Sequence, residues 1–385
     1  MKPLDFELTK EQKEIQQAAR EFAKGEFDKE LALELDEKHE YPTAIWQSAC
    51  REGFIGLHFP VEYGGSGYGC LENTLVVEEF CRGDSTIGAA LMLVDFASEC
   101  ILRFGSDELK ARWLPEVAEV RAISGGAITE PDHGSDITTM NTTAVRDGDE
   151  WVVNGVKTFI TNAGIAAFYP VICQTDTAAA HRGQSLFLVS SKAEGVEVAD
   201  VGRKMGIRMI PTGEVSFKNV RIPSSNLVGA EGKGFYQILE FFDESRIETA
   251  AQRLGTAQGA FDRALDYVKQ RRQFGKRIAE FQVTQHKIAE MATKLELSRL
   301  ITYKAAWNFD QGGIDPKMTS MAKWFAAQTS VEVTNEAVQL HGGYGYIADY
   351  EVERFYRDAK ITEIYEGTKE IQKNTIAGVV IGKLG

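Results

Sequence analysis

The sequence lacks several features that would point to particular kinds of protein. Its formal charge of −13 is spread over mixed acidic and basic positions, with no clustered basic face, so nucleic acid is not an expected partner. The five cysteines, Cys50, Cys70, Cys81, Cys100 and Cys173, are odd in number and have no CxxC spacing, which fits reduced thiols and predicts neither disulfides nor a metal site. The first residues, MKPLDFELTKEQKE, contain no apolar core of the sort a secretion signal needs, and no run approaches bilayer-spanning length. No membrane association is expected, and a cytoplasmic address follows. Repeats and low-complexity tracts are missing too. So are a phosphate-loop GxxxxGK[ST], an HExxH and a strand-borne GxGxxG. GYGYIA at 343–348 follows a helical pattern instead of a strand, which excludes a dinucleotide-binding reading.

What is present is an ordinary globular composition, 43% hydrophobic and 26% charged, over a length sufficient for two or three domains. From Thr9 to about Glu116 the pattern is helical. Thr9 and Gln12 can form a capping box, Ile15, Ala18, Ala19 and Phe22 recur at helix spacing, and FPVEYGGSGYG at 59–69 interrupts as a loop. The period then changes. TAVRDGDEWVVNGVKTFI carries two hairpin signals, Asp147-Gly148 and Asn154-Gly155, and FYPVICQT, SLFLVSS, VEVAD and EVSFKNVRI read as short strands. Helical periodicity returns after Gly234. Ile247, Ala250, Ala251, Leu254, Ala257, Phe261, Ala264, Leu265 and Val268 share one face of a long buried helix. A second helix is predicted to start at Asp315-Pro316 and run to about Leu340. The expected fold class is α+β. It comprises an all-α N-terminal domain over 1–122, a central antiparallel β-barrel over 123–234 and a C-terminal four-helix bundle over 235–385.

Four segments carry chemistry. AITEPDHGSD at 127–136 ends an apolar run in a turn whose Gly134-Ser135 backbone could approach a phosphate, although a polar loop capping the first strand explains it equally. KTFITNAG at 157–164 places Phe159 where an aromatic ring could serve the core or stack on a flat ligand. RRQFGKRIAEFQ at 271–282 reads by composition as a solvated basic face, and IYEGTKEIQ at 364–372 places Glu366 in a turn. Together, in this order, they resemble the FAD-dependent acyl-CoA dehydrogenase family, and the resemblance covers the whole chain. It implies that Ile128, Thr129, Gly134, Phe159, Ile160 and Thr161 contact the flavin side of FAD and that Ser135 contacts its diphosphate. Arg271, Phe274, Gln282, Gln339, Gly342 and Gly343 would serve its diphosphate across a subunit interface, and Thr368 and Glu370 would also touch FAD. Ser135, Asp243, Arg246, Tyr365 and Gly367 are implied to meet an acyl-CoA substrate, although Asp243 and Arg246 at i,i+3 also suit a plain intrahelical ion pair. A homo-oligomer, usually a tetramer, and electron-transfer flavoprotein are the implied partners.

On this reading Glu366 is the base. A thioester makes its α-proton acidic enough for a carboxylate, and burial raises that carboxylate's pKa toward its task. In some branches of the family the base stands just before the helix arginine. That position is Ser245 here, which excludes the relocation. One departure stands out. In IGAALMLVDFASECIL at 87–102, Asp95 occupies a site where small polar residues are usual. It is expected either to be a hydrogen-bonded carboxylate at a helix irregularity or to reach the acyl pocket as a second proton acceptor or polar anchor. The latter would suit an alicyclic or conjugated acyl group such as a cyclohexane-carboxyl thioester, the alternative being a short or branched chain. No Lys or Arg lies between Arg82 and Arg103, so this helix offers no cationic anchor for a dicarboxylic substrate. Rival readings are an enoyl-CoA reductase with the same site run in reverse, a flavin monooxygenase on the same fold, and a non-catalytic CoA-binding relative.

Overall fold

Thr9 opens the first helix as its spacing with Gln12 predicts: the Thr9 hydroxyl accepts from the Gln12 amide, and the Gln12 side chain accepts from the Thr9 amide. The computed structural model describes residues 7–382. Seven α-helices follow in the N-terminal third. They are α1 (Lys10–Glu26), α2 (Lys29–Lys38), α3 (Thr43–Arg51), α4 (Cys70–Gly83), α5 (Ser85–Met92), α6 (Glu99–Phe104) and α7 (Asp107–Ala118). Ser85–Phe104 corrects the expectation that no run is long and apolar enough to cross a bilayer, since its 20 residues meet that measure. The segment is 89% buried inside the protein, however, and the chain breaks it between α5 and α6 with a short 3-10 turn at Phe96–Ser98.

The middle third forms one sheet from β1 (Thr143–Asp147), β2 (Glu150–Thr161), β3 (Phe168–Gln174), β4 (Gln184–Ser190), β5 (Val196–Asp200), β6 (Thr212–Pro223) and β7 (Leu227–Val228). Its order is β5-β6-β2-β1-β3-β4-β7. It is not the closed antiparallel barrel expected from the sequence. The sheet is open, and β1 meets β3 in parallel. The reason lies in how β3 and β4 are buried. Phe168, Ile172, Leu186 and Leu188 join the core shared with the N-terminal helices, while Tyr169, Val171, Phe187 and Val189 join the sheet's own core. Packed on both faces, these strands read as continuous apolar runs, and helices cover a surface that barrel closure would otherwise have to hide.

Asp147-Gly148 makes the expected hairpin, with Asp147 opposite Glu150. Asn154-Gly155 does not. β2 runs straight through it, with a register shift between Val153 and Gly155 against β6. The Asn154 side chain accepts from the Asn219 amide, and a Cβ on Gly155 would meet Thr142 Oγ1 at 2.4 Å. The glycine therefore permits a bulge and a close approach to the neighbouring chain, not a turn.

The final third holds α8 (Gly234–Gln270), a small hairpin of β8 (Arg272–Gln273) and β9 (Lys276–Arg277), α9 (Gln282–Asp310), α10 (Pro316–His341), α11 (Val352–Ile361) and α12 (Lys369–Ile381). Asp315 caps α10, accepting from the Lys317 and Met318 amides, with Pro316 at the first helical position as predicted. From Asp243 to Ala257 every residue of α8 is buried, because α4, α5, α9 and α10 surround it.

A buried ion pair ties the β segment together. Lys157 on β2 donates to Glu130 at 2.9 Å and to the Ile128 carbonyl at 3.0 Å, and Glu130 also accepts from the Asn141 and Thr142 amides. Both side chains are at most 1% exposed. Burial would raise the Glu130 carboxyl, yet Lys157 and the donors around it together hold it below its ordinary value. Removing one partner strands the other charge in the interior. Glu130→Ala should therefore cost about 3–5 kcal/mol of stability, read as a lowered denaturant midpoint; an unchanged midpoint would refute this account.

Candidate active site

Glu366 sits in an elbow between α11 and α12. It is one of few non-glycine residues here with positive φ, +53°, and Gly367 follows at +82°. Such a conformation persists only where surroundings enforce it. Gln372 on α12, fully buried, donates to the carbonyls of both Glu366 and Gly367 at 3.0 Å, and the Lys323 ammonium from α10 donates to the Gly367 carbonyl as well. A Cβ on Gly367 would meet Gln372 Nε2 at 2.7 Å, so this glycine answers to the protein's own packing. Thr368 uses its hydroxyl to cap α12, accepting from the Ile371 amide.

The Glu366 carboxylate turns toward α8, where the Ser245 hydroxyl donates to its Oε2 at 2.9 Å. Burial raises the Glu366 pKa, and Ser245, Lys323, Arg253 and Arg246 oppose that rise without cancelling it. Burial and Arg253 push Lys323 down to about 6. Arg253, fully buried, lies with its guanidinium 5.1 Å from the Tyr365 ring centre, and the Tyr365 hydroxyl bonds Gln252. Asp243 and Arg246 form the buried intrahelical pair at 3.0 Å, with Thr319 donating to Asp243 too.

Asp95 stands just before the 3-10 turn at Phe96–Ser98, with its Oδ2 accepting from the Gly56 amide at 2.7 Å. Burial raises it to about 6, against the pull of His58 and that amide. Around it lies a cluster that the sequence reading missed: His58 paired to Glu99, Arg103 donating to Glu244 at 2.9 Å, and Asn73 donating to Glu248 at 2.8 Å. Burial alone would lower His58, but Glu99 and the other carboxylates hold it at about 10, so a cation does face Asp95, supplied from another part of the chain. Burial, then Glu99, raises Glu244 to about 8. The Cys100 thiol on α6 is raised by burial and by the charges of Glu99 and Glu366. The available signal was charge inside apolar runs, at Glu99, at Glu244 and Glu248 four apart on α8, and at Lys323 in SMAKWFAA.

The flavin segments fall into two groups. The Thr158 amide donates to the Thr129 carbonyl, setting TEPDHGSD beside KTFIT. Phe159 has φ +56° and its side chain is 67% exposed, which removes the core role for its ring. Ile160 points the other way into the sheet core, leaving only its backbone for a ligand. Gly134 and Ser135 are exposed, with open space where a Gly134 Cβ would stand. Far along the chain, Arg271, Gln339, Gly342 and Gly343 line a cleft of about 410 Å³ together with Tyr267 and Tyr344. Phe274 and Gln282 lie beside it in sequence but outside its lining; Phe274 is 92% exposed and Glu370 is exposed on α12. No hydrogen bond or ring contact joins the two groups among the described residues. An outward aromatic beside hydroxyls, and an arginine in a glycine-lined cleft, fit the two ends of FAD. Ser245→Ala removes the donor that favours ionised Glu366, so this carboxyl, the expected base, needs a higher pH to ionise. The acid limb of kcat/KM should move up by about one pH unit, and a limb that stays put would refute the contact's influence.

Comparison with known proteins matches three family models in chain order: acyl-CoA dehydrogenase N-terminal domain over 9–121, middle domain over 125–220 and C-terminal domain over 232–381. The short-chain specific acyl-CoA dehydrogenase of Clostridium acetobutylicum is 40% identical over 98% of this chain and 100% of its own length. A subunit of the caffeyl-CoA reductase-Etf complex of Acetobacterium woodii is 38% identical over 98% of this chain and 100% of its own length. The structure of butyryl-CoA dehydrogenase from Megasphaera elsdenii superposes with TM-score 0.95 at 35% identity, covering 98% of this chain and 100% of that one. The chain belongs to the FAD-dependent acyl-CoA dehydrogenase family.

Proposed function

We propose that the protein oxidises an acyl-CoA thioester to its 2-enoyl-CoA, with Glu366 taking the α-proton. The observation that carries this is a carboxylate held by Ser245 in a positive-φ elbow and raised by burial toward the range a thioester α-proton requires. FAD supplies the acceptor for the β-hydride when bound. Phe159, Thr129 and Thr161 hold its flavin side and Ser135 its diphosphate, with Ile128, Gly134 and Ile160 contributing backbone. The cleft of Arg271, Gln339, Gly342 and Gly343, flanked by Phe274 and Gln282, takes the diphosphate of a second copy in a homotetramer, and Thr368 and Glu370 complete the contact. Asp243, Arg246, Tyr365 and Gly367 border the thioester. Electron-transfer flavoprotein is the electron partner, a reading supported by the Etf-associated relative. That relative's name as a reductase also favours a second reading, the same site run from enoyl-CoA to acyl-CoA.

For substrate, we assign a short, branched or alicyclic acyl group of the cyclohexane-carboxyl kind. Asp95 would act beside it as a second proton acceptor or polar anchor, and its buried carboxyl at about 6 supports either role. Anaerobic bleaching of the flavin by a panel of linear, branched and cyclic acyl-CoAs tests both parts. Glu366→Gln should slow bleaching about 10²–10⁴-fold on every substrate, and bleaching at the wild-type rate would remove Glu366 from the chemistry. Asp95→Ala should depress the cyclic substrates while sparing the linear ones. Equal rates across the panel before and after the change would refute the alicyclic assignment.

A further inference from the structure

Lys323 is a lysine with no exposure to solvent, and the α,β-dehydrogenation reading gives it no task. Burying an amine in a helical core is costly unless it is partnered. Among the described residues its ammonium or amine hydrogen-bonds across from α10 to the carbonyl of Gly367, the residue directly after the base. The elbow it touches is the strained one. Glu366 and Gly367 both have positive φ, and their two carbonyls receive three donations in all, two from Gln372 and one from Lys323. Gln372 belongs to α12, the helix that begins at the elbow, whereas Lys323 belongs to α10, which packs against both α8 and α12. Lys323 is therefore the side chain that ties the elbow's backbone to the helix behind it, and so to α8, where Ser245 meets the carboxylate.

We infer that Lys323 is a positioning residue for Glu366, fixing the elbow through the Gly367 carbonyl so that the carboxylate faces the substrate side of α8. The inference rests on Glu366 being the base. Ammonium and neutral amine both donate to that carbonyl, so the tether holds at either protonation state. The ammonium, gained as the pH falls, also adds a positive charge that keeps Glu366 ionised. The groups facing Glu366 are Ser245, Arg246 and Arg253 from α8, Cys100 from α6, Tyr365 of the elbow and Lys323 itself. Those facing Lys323 are Arg253, Arg246, Glu366 and Glu363. The arginines remain in a Lys323 variant, so the charge effect is a partial one and the tether is the larger.

The test compares flavin-loaded wild type, Lys323→Met, Lys323→Gln and Glu366→Gln in anaerobic bleaching by one acyl-CoA that the wild type oxidises, across pH. Lys323→Met should lower the limiting bleaching rate about 100-fold with half-saturation nearly unchanged, since a displaced base loses rate and not binding. Its acid limb should move to higher pH. Lys323→Gln, which offers a shorter donor without charge, should regain part of the rate and keep the shifted limb. Should Lys323→Met not fold, the glutamine variant carries the limb comparison. Wild-type rate and limb in both variants would overturn the inference while leaving Glu366→Gln inactive and the base assignment intact. Equal loss in rate and in half-saturation, with no limb shift, would also overturn it by marking Lys323 as a general packing residue. If no acyl-CoA bleaches the wild type, the base assignment fails and this inference fails with it.

Discussion

The ion pair of Lys157 and Glu130 is the constraint on which the juxtaposition of TEPDHGSD and KTFIT depends. Glu130 lies inside TEPDHGSD and Lys157 opens KTFIT, so one buried contact joins two segments about 30 residues apart in sequence. The amides of Asn141 and Thr142 also end on Glu130, which fixes how the loop after TEPDHGSD returns to β1. Because both partners are sealed from water, neither can swing to an alternative. Thr129 and Phe159 inherit their positions from this anchor. The side chains facing outward are set by a pair facing inward.

A comparable division of labour holds at the elbow. Glu366 is presented by its backbone, which Gln372, Lys323 and the glycine at 367 keep in an uncommon conformation, while its charge is governed by groups on α8 and α10. Shape and electrostatics reach the carboxylate from different helices. α8 is buried all round at this level and α10 packs along it, so movement of one is felt by the other.

Much of this was legible in the sequence wherever a single local rule decides the outcome. The Thr9 capping box, the Asp315-Pro316 start of α10 and the Asp147-Gly148 hairpin follow from nearest-neighbour chemistry and appear as expected. Asn154-Gly155 obeys the same local rule and yet becomes a bulge, because Thr142 and Asn219, distant in sequence, claim that space and the Asn154 side-chain acceptor. The open sheet was hidden for a related reason: strand patterns reveal apolar faces but not which domain covers them. Among candidate site residues, the ordered motifs picked out Glu366 and Phe159, while the burial of the first and the exposure of the second come only with the fold. His58, Glu99, Glu244, Glu248 and Lys323 were not singled out, since a buried charge declares its partner only in three dimensions.

Ser85–Phe104 is the most bilayer-like stretch of the chain, and Asp95 sits at its middle with Glu99 a turn further on. Before α8 has folded over it, this segment would present itself to any lipid surface as a potential span. A central aspartate costs about 3 kcal/mol on insertion scales, and the break at Phe96–Ser98 denies the segment a continuous hydrogen-bonded rod. Asp95 and Glu99, partnered in the fold by the Gly56 amide and His58, thus suit this stretch to the protein's own core and not to a lipid interior.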